Sequence, residues 1–154
     1  MNGSENRNMK HPRIRVSVII IEEGKILLVR HEKQGRTYWV LPGGGVDFGE
    51  PLEQAAVREL KEETSLDIKV DKLVFVDDFI PEARHRHVVD VYFTAKVVGG
   101  KLTLGPDSVM REVRYFLIED LAELPFYPKI ADQIVAGYRK GFPGSALYFG
   151  NVRD

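Results

Sequence analysis

Three consecutive glycines, Gly43-Gly44-Gly45, run shortly ahead of the clearest helix in the chain, Pro51 to about Thr64. Such a run suits neither a helix nor a strand interior, because glycine loses the most conformational entropy on ordering. It reads as a loop whose backbone approaches something closely. The helix has proline in its first turn, where the missing N–H costs nothing. Leu52, Ala55, Ala56, Val57 and Leu60 supply its apolar face. On a wheel of about 100° per residue Leu52, Ala56, Leu60 and Val57 define a buried arc, with Glu63 inside it and Glu59 about 20° beyond its edge. Glu62 lies further round on the Glu59 side.

A helix built only for packing would send its glutamates away from the core. Here carboxylates spaced i and i+4, with another at i+3, follow the core edge. An unpaired charge there is costly and tends to be neutralised. A divalent cation would relieve both the desolvation and the mutual repulsion. Hard oxygen ligands favour Mg²⁺ or Mn²⁺ over zinc. The helix alone leaves a second reading open, a solvated acidic face paired with Lys61 or Arg58.

The rest of the chain reads as strands and one more helix. Ile14 to Ile21 and Lys25 to Arg30 are expected to pair as a hairpin through Glu23-Gly24. His31 to Thr37 reads as a polar loop, and Tyr38 to Leu41 as a short extended segment ending at Pro42. Leu66 to Val76, Val88 to Val98 and Val113 to Ile118 read as strands. Gly99-Gly100 is expected to turn the chain back into Lys101 to Leu104, and Glu119 to Leu121 to form a short helical turn. Pro128 to Lys140 reads as a helix, and the tail from Gly141 carries no assignment. Residues 1–8 are expected to be disordered, and 9–154 to form a single domain, with no repeat or linker visible.

Composition narrows the function classes. A formal net charge of -1 argues against a general nucleic-acid binder. The only dense basic cluster, Arg84-His85-Arg86-His87, is too short to build such a surface. With no cysteine, disulfides, thiolate nucleophiles and cysteine zinc sites are excluded. The apolar run Val16 to Ile21 is too short to span a bilayer, so no membrane partner is expected and a cytoplasmic setting is the default.

The stretch Gly44-x5-Glu50-x7-Arg58-Glu59-Leu60-x-Glu62-Glu63-x-Ser65-Leu66 resembles the Nudix box, the motif of the Nudix hydrolase family. Every defined position matches except Ser65, where the family pattern has glycine. Glycine there would end the helix in a left-handed conformation, and serine would pay a modest steric cost to do the same. Trp39-x-Leu41-Pro42-Gly43-Gly44 is similar to the segment leading into the box. The resemblance implies an α/β Nudix fold, a mixed β-sheet sandwiched between helices, with a catalytic loop-helix-loop.

It also implies roles. Glu59 and Glu63 would be direct metal ligands, and Glu62 a further ligand or a water-activating base. Gly44 would offer its backbone carbonyl to the metal, while Gly43 and Gly45 let the loop approach it. Arg58 and Glu50 match a pair that braces the loop-helix-loop, with Arg58 also a candidate phosphate contact. The implied cofactor is Mg²⁺, with Mn²⁺ as the substitute. The implied reaction is attack of water on phosphorus, with a carboxylate taking the proton. Glu112 is the favoured candidate from a later loop for that base, ahead of Asp107. Its alternative is a salt bridge with Arg111 or Arg114.

Substrate choice is thinner. Pro81 lies close to where a proline marks the ADP-ribose pyrophosphatase group in this family. Arg84 and Arg86, with His85 and His87, are candidates to hold a phosphate or ribose, or are solvated loop residues. Arg30, Arg36 and Tyr38 flank the expected cleft as candidates for phosphate contact or base stacking, whereas Trp39 and Phe126 read as core. The expected substrate is a nucleoside diphosphate derivative, with ADP-ribose or a sugar nucleotide first. Nucleoside triphosphates and diadenosine polyphosphates come behind, as does a non-catalytic nucleotide-binding regulator. Isopentenyl diphosphate isomerisation, which relies on a cysteine in this family, is set aside. A homodimer is open by family analogy, with Tyr148-Phe149 as the candidate contact.

Overall fold

A computed structural model describes residues 10–152. The segment 1–8, expected to be disordered, lies outside the described residues. The first long strand, β1 (Arg13–Ile19), buries Val16 and Val18 on one face and Ile19 on the other. A strand apolar on both faces belongs inside a sheet rather than in a half-exposed hairpin arm. Accordingly, β1 does not pair with the next long strand, β3 (Lys25–Lys33). It runs parallel to β7 (Val88–Gly100), and only the two-residue β2 (Ile21–Glu22) forms the expected hairpin with β3. Glu23 and Gly24, at φ 52° and 75°, supply that turn.

Residues 31–37 are not a loop. β3 continues through them and turns at Gln34 and Gly35, at φ 53° and 75°, into β4 (Arg36–Val40). Two successive residues at positive φ match the twist of a two-residue hairpin, for which Gln-Gly is a weaker signal than Asn-Gly. The triple glycine is likewise a short strand, β5 (Gly43–Gly45), paired antiparallel to β1. A Cβ on Gly43 would collide with the Val16 carbonyl, so close approach, not looseness, is the reason for glycine there.

Two sheets result. The first is mixed, in the order β5-β1-β7-β6-β9, with β6 (Leu66–Phe79) and β9 (Leu147–Asn151) joining from later in the chain. The second is antiparallel and centred on β3, with β8 (Met110–Leu117) on one side and β2 and β4 on the other. Helix α1 (Leu52–Thr64) buries Ala55, Ala56 and Leu60 against Val16, Val18, Phe93 and Ile68 of the first sheet. Burying Leu60 fully contributes about 2 kcal/mol. Val57 is 40% exposed, so the apolar arc is narrower than the wheel suggests. The opposite face of that sheet, with Ile19, Phe75 and Tyr92, packs against Ile26 and Leu28 of the second sheet and Ile134 of α2 (Ala131–Arg139). The sandwich between helices is therefore present, with the second sheet inserted on one side.

α2 begins at Ala131 because residues 128–130 form a turn, the Ile130 N–H bonding to the Pro128 carbonyl at 2.8 Å. A 3-10 segment, Ile118–Glu123, covers the short helical turn expected at Glu119. Lys101 to Leu104 is not a strand and instead docks on the end of α1, Thr103 N–H bonding to the Thr64 carbonyl at 2.9 Å. The tail forms β9, parallel to β6, with Phe149 packed on Phe75 and Tyr148 exposed. Among the described residues no helix is long and apolar enough to cross a membrane.

α1 ends at Ser65, which adopts the left-handed conformation, φ 63° and ψ 11°, with its N–H on the Lys61 carbonyl. That conformation costs an L-residue with a Cβ roughly 1–2 kcal/mol, partly offset by the smaller entropy serine loses on folding. Ser65→Gly is therefore expected to raise unfolding free energy by about 0.5–1 kcal/mol in a urea titration. An unchanged or lower midpoint would contradict that strain.

Candidate active site

The N-terminal half of the site is organised around one guanidinium. Arg58 Nε and Nη2 grip both oxygens of Glu50 at 2.8 and 2.9 Å, and Nη2 also donates to the Gly45 carbonyl at 3.0 Å. Nη1 turns the other way, to Glu59 at 2.9 Å and Glu62 at 3.3 Å. Arg58 thus ties the loop to the helix through a planar fork that lysine could not reproduce. The bonds from Arg58, with the Asp47 N–H, hold the Glu50 carboxyl down at about 2. The same pairing raises Arg58 above its ordinary range.

The C-terminal half holds a carboxylate of opposite character. Burial pushes Glu63 up to about 8, with Arg15 and the Gly43 N–H pulling it down and the charges of Glu59 and Asp107 adding to the rise. Gly43 N–H donates to Glu63 Oε2 at 3.1 Å. One residue on, a Cβ at Gly44 would run into the Glu59 carboxylate. Glu59 and Glu63, one helical turn apart, thus approach successive glycines of β5. Glu62 is the more exposed of the three, with 57% of its side-chain surface open against 14% for Glu59. Among the described residues, no three acidic or histidine side chains converge on one point. The reason is visible: Arg58 draws Glu59 and Glu62 together while Glu63 turns to Gly43.

The loop after β7 closes on this helix end. Gly105 N–H bonds to the Glu63 carbonyl at 2.8 Å, and a Cβ on Gly105 would strike the Glu62 carbonyl. Asp107, two residues further, acts electrostatically on both Glu63 and His31. Glu112 sits in β8 opposite Arg30 of β3, bonded to it at 3.2 Å and paired with Arg114 at 3.5 Å. Its partners are thus Arg30 and Arg114, not Arg111, which pairs with Glu32.

The substrate candidates divide. Arg30 is engaged by Glu112, and Tyr38 packs edge-on between His31 and Tyr127 at 5.6 and 5.8 Å. Arg36 lies beside the β3–β4 turn. Arg84 is exposed in the turn begun by Pro81, Arg86 lies 5.0 Å over the Phe79 ring, and His87 bonds to Asp78 at 2.7 Å. His85 is exposed in the same loop. Among the described residues none of Arg36, Arg84 and Arg86 makes a polar contact with the Gly44–Glu63 stretch. Trp39 and Phe126 are buried, as expected of core.

Sequence reading passed over a polar row on the face of the first sheet away from α1. Arg15, Asp90 and Asp77 are cross-strand neighbours on β1, β7 and β6. Ser17 Oγ donates to Asp90 Oδ2 at 3.0 Å and Tyr92 Oη to Asp77 Oδ2 at 2.8 Å, leaving Oδ1 of each acid buried without a partner. The available signal was a charge inside an apolar strand run, as in Val88-Val89-Asp90-Val91-Tyr92-Phe93.

The NUDIX domain family model matches residues 11–137. An ADP-ribose pyrophosphatase from Methanocaldococcus jannaschii is 38% identical over 75% of this chain and 68% of its own. A NAD-capped RNA hydrolase from Vibrio atlanticus is 28% identical over 88% of this chain, which spans only 49% of that protein. Among solved structures, a NUDIX hydrolase from Nitrosomonas europaea superposes with a TM-score of 0.76 at 21% identity, covering 89% of this chain and 94% of the other, a likeness of fold. The chain belongs to the Nudix hydrolase family, a pyrophosphohydrolase class of enzyme.

Burial, the leading cause for each acid, pushes Asp77 up to about 7 and Asp90 to about 6, with their neighbouring acids adding to the rise at Asp77. A carboxyl raised above its unfolded value binds protons better when folded. Stability therefore falls as pH climbs from about 4 through those values, by at most about 1.4 kcal/mol per pH unit for each group. Thermal melts of the native chain and of a double Asp77→Asn, Asp90→Asn variant should diverge across pH 4.5–7.5. The variant should show the flatter profile, and parallel profiles would rule the effect out.

Proposed function

We propose that this chain hydrolyses the diphosphate linkage of a nucleoside diphosphate derivative in a Mg²⁺-dependent reaction, with ADP-ribose or a sugar nucleotide as substrate. The observation that carries the reading is the seating of two glutamates on consecutive glycines, Glu63 on the Gly43 N–H and Glu59 against Gly44. The name of the archaeal relative supports ADP-ribose as the first substrate to try.

The donor set fits a hard divalent cation. Glu59, Glu63, Glu62 and the Gly44 carbonyl are all oxygen donors, and burial of Glu63 beside Glu59 leaves negative charge short of a counterion. Those four groups would hold Mg²⁺, or Mn²⁺ in its place. When bound, the cation supplies charge neutralisation at the diphosphate and acidifies a water. The protein's own residues supply the rest. Arg58 keeps the loop at a fixed distance from the helix through Glu50 and Gly45.

A base must take the proton from the attacking water. Gly105 fastens its loop to the Glu62–Glu63 backbone, which supports Asp107 for that role. Glu112, the residue favoured by sequence, is occupied by Arg30 and Arg114. A cytoplasmic setting and a homodimer through the tail belong to the same reading, with Tyr148 exposed for the contact while Phe149 packs inward on Phe75.

With ADP-ribose and Mg²⁺ the native chain is expected to yield AMP and ribose 5-phosphate, and Glu63→Gln to lose activity by two or more orders of magnitude while keeping its melting profile. Asp107→Asn should cost at least tenfold more in kcat than Glu112→Gln. The same assay run on sugar nucleotides, nucleoside triphosphates and diadenosine polyphosphates ranks the substrates. No turnover of any of them with metal would overturn the hydrolase reading in favour of a nucleotide-binding regulator.

A further inference from the structure

Arg15 is a charged residue on a strand whose following residues are buried. Its guanidinium is held loosely compared with that of Arg58. Nε stands 3.3 Å from Ser17 Oγ and 3.7 Å from Asp90 Oδ2, and Nη2 donates to the Leu41 carbonyl at 3.3 Å. Nη1 makes no hydrogen bond among the described residues. The acid beneath it is buried, with Asp90 6% exposed and accepting the Ser17 hydroxyl. The Arg15 side chain itself keeps 31% of its surface open.

Its position is as telling as its bonding. Leu41 leads through Pro42 to Gly43, whose N–H holds Glu63. Across the pairing of β1 with β5, Arg15 stands opposite Gly45 and Ser17 opposite Gly43. Arg15 therefore stands on the face of the first sheet away from α1, next to the strand whose first glycine holds Glu63. A fork with spare donors, braced from below by a buried acid, is built to receive a planar pair of anionic oxygens. A buried brace alone would be better made of apolar residues, because desolvating the pair is costly.

We propose that Arg15 is a substrate-binding residue whose guanidinium, aligned by Asp90 and Ser17, takes the non-bridging oxygens of the diphosphate beside Glu63. Asp90 is then a positioning residue, acting only through Arg15. The assignment rests on the diphosphate-hydrolase reading and names a cation which the Nudix box does not contain.

The full chain and its Arg15→Gln, Arg15→Lys and Asp90→Asn variants test this by steady-state kinetics on ADP-ribose with Mg²⁺ and by calorimetric binding of inorganic pyrophosphate with Mg²⁺. Arg15→Gln should raise KM at least tenfold and weaken pyrophosphate binding by a similar factor, with a smaller change in kcat. Arg15→Lys should recover part of the loss, and Asp90→Asn should raise KM less than Arg15→Gln. Native KM and native pyrophosphate affinity in Arg15→Gln would overturn the proposal. So would a lowered melting temperature in both Arg15 variants without a KM change, the mark of a prop. If the native chain hydrolyses nothing, the activity reading fails by itself and pyrophosphate binding still decides for Arg15. Binding that is absent from the native chain, or equal in Arg15→Gln, overturns it.

Discussion

Arg58 holds together what the rest of the site depends on. Its side chain spends one edge on both oxygens of Glu50 and the Gly45 carbonyl, and the remaining nitrogen on Glu59 and Glu62. Bidentate, charge-assisted bonds of this kind are roughly twice as strong as neutral ones and also fix direction. They add to the pairing of β5 with β1 and to the packing of Val46 on the core beneath α1. The fork therefore translates a sequence spacing into a spatial one. Glu59 meets Gly44 and Glu63 meets Gly43 because the loop and helix are clamped in that register.

The electrostatics of the two ends are opposed. At the start of α1, Glu50 is kept ionised far below the usual carboxylate range by its arginine. At the end, Glu63 is pushed up by burial. One carboxylate is thus matched to a resident cation, while the other is dominated by its burial. The loop pinned to that end by Gly105 carries Asp107, and Arg15 of β1 pairs with the strand that bonds Glu63. The polar row of Arg15, Asp90 and Asp77 carries that charge pattern across three strands.

The box was legible because its residues are close in sequence and their chemistry survives without knowledge of the fold. Helix α1 was legible for the same reason, though Val57 turned outward and Ser65 took the left-handed position that glycine would take. Sheet assignment was not. β1 and β3 look like a hairpin locally, but β1 pairs with β7, far along the chain, and local pattern carries no information about such a partner. The β3–β4 hairpin was hidden by polar residues on a two-faced strand and by a Gln-Gly turn. β5 contradicted the expectation for three glycines because its backbone is needed against Val16 and Glu59. Arg15 and Asp90 looked like interruptions of apolar strands, and only cross-strand register makes them neighbours.

The central claim is that Glu59 and Glu63, held against Gly44 and Gly43, form a cation site that Arg58 keeps in shape. Titrating Mg²⁺ and Mn²⁺ into substrate-free protein while following the melting temperature tests it directly. The native chain should gain stability in a saturable way, as expected for a ligand that binds only the folded state. A Glu59→Gln, Glu63→Gln double variant should gain none. An equal rise in both proteins, or none in the native chain, would contradict the account.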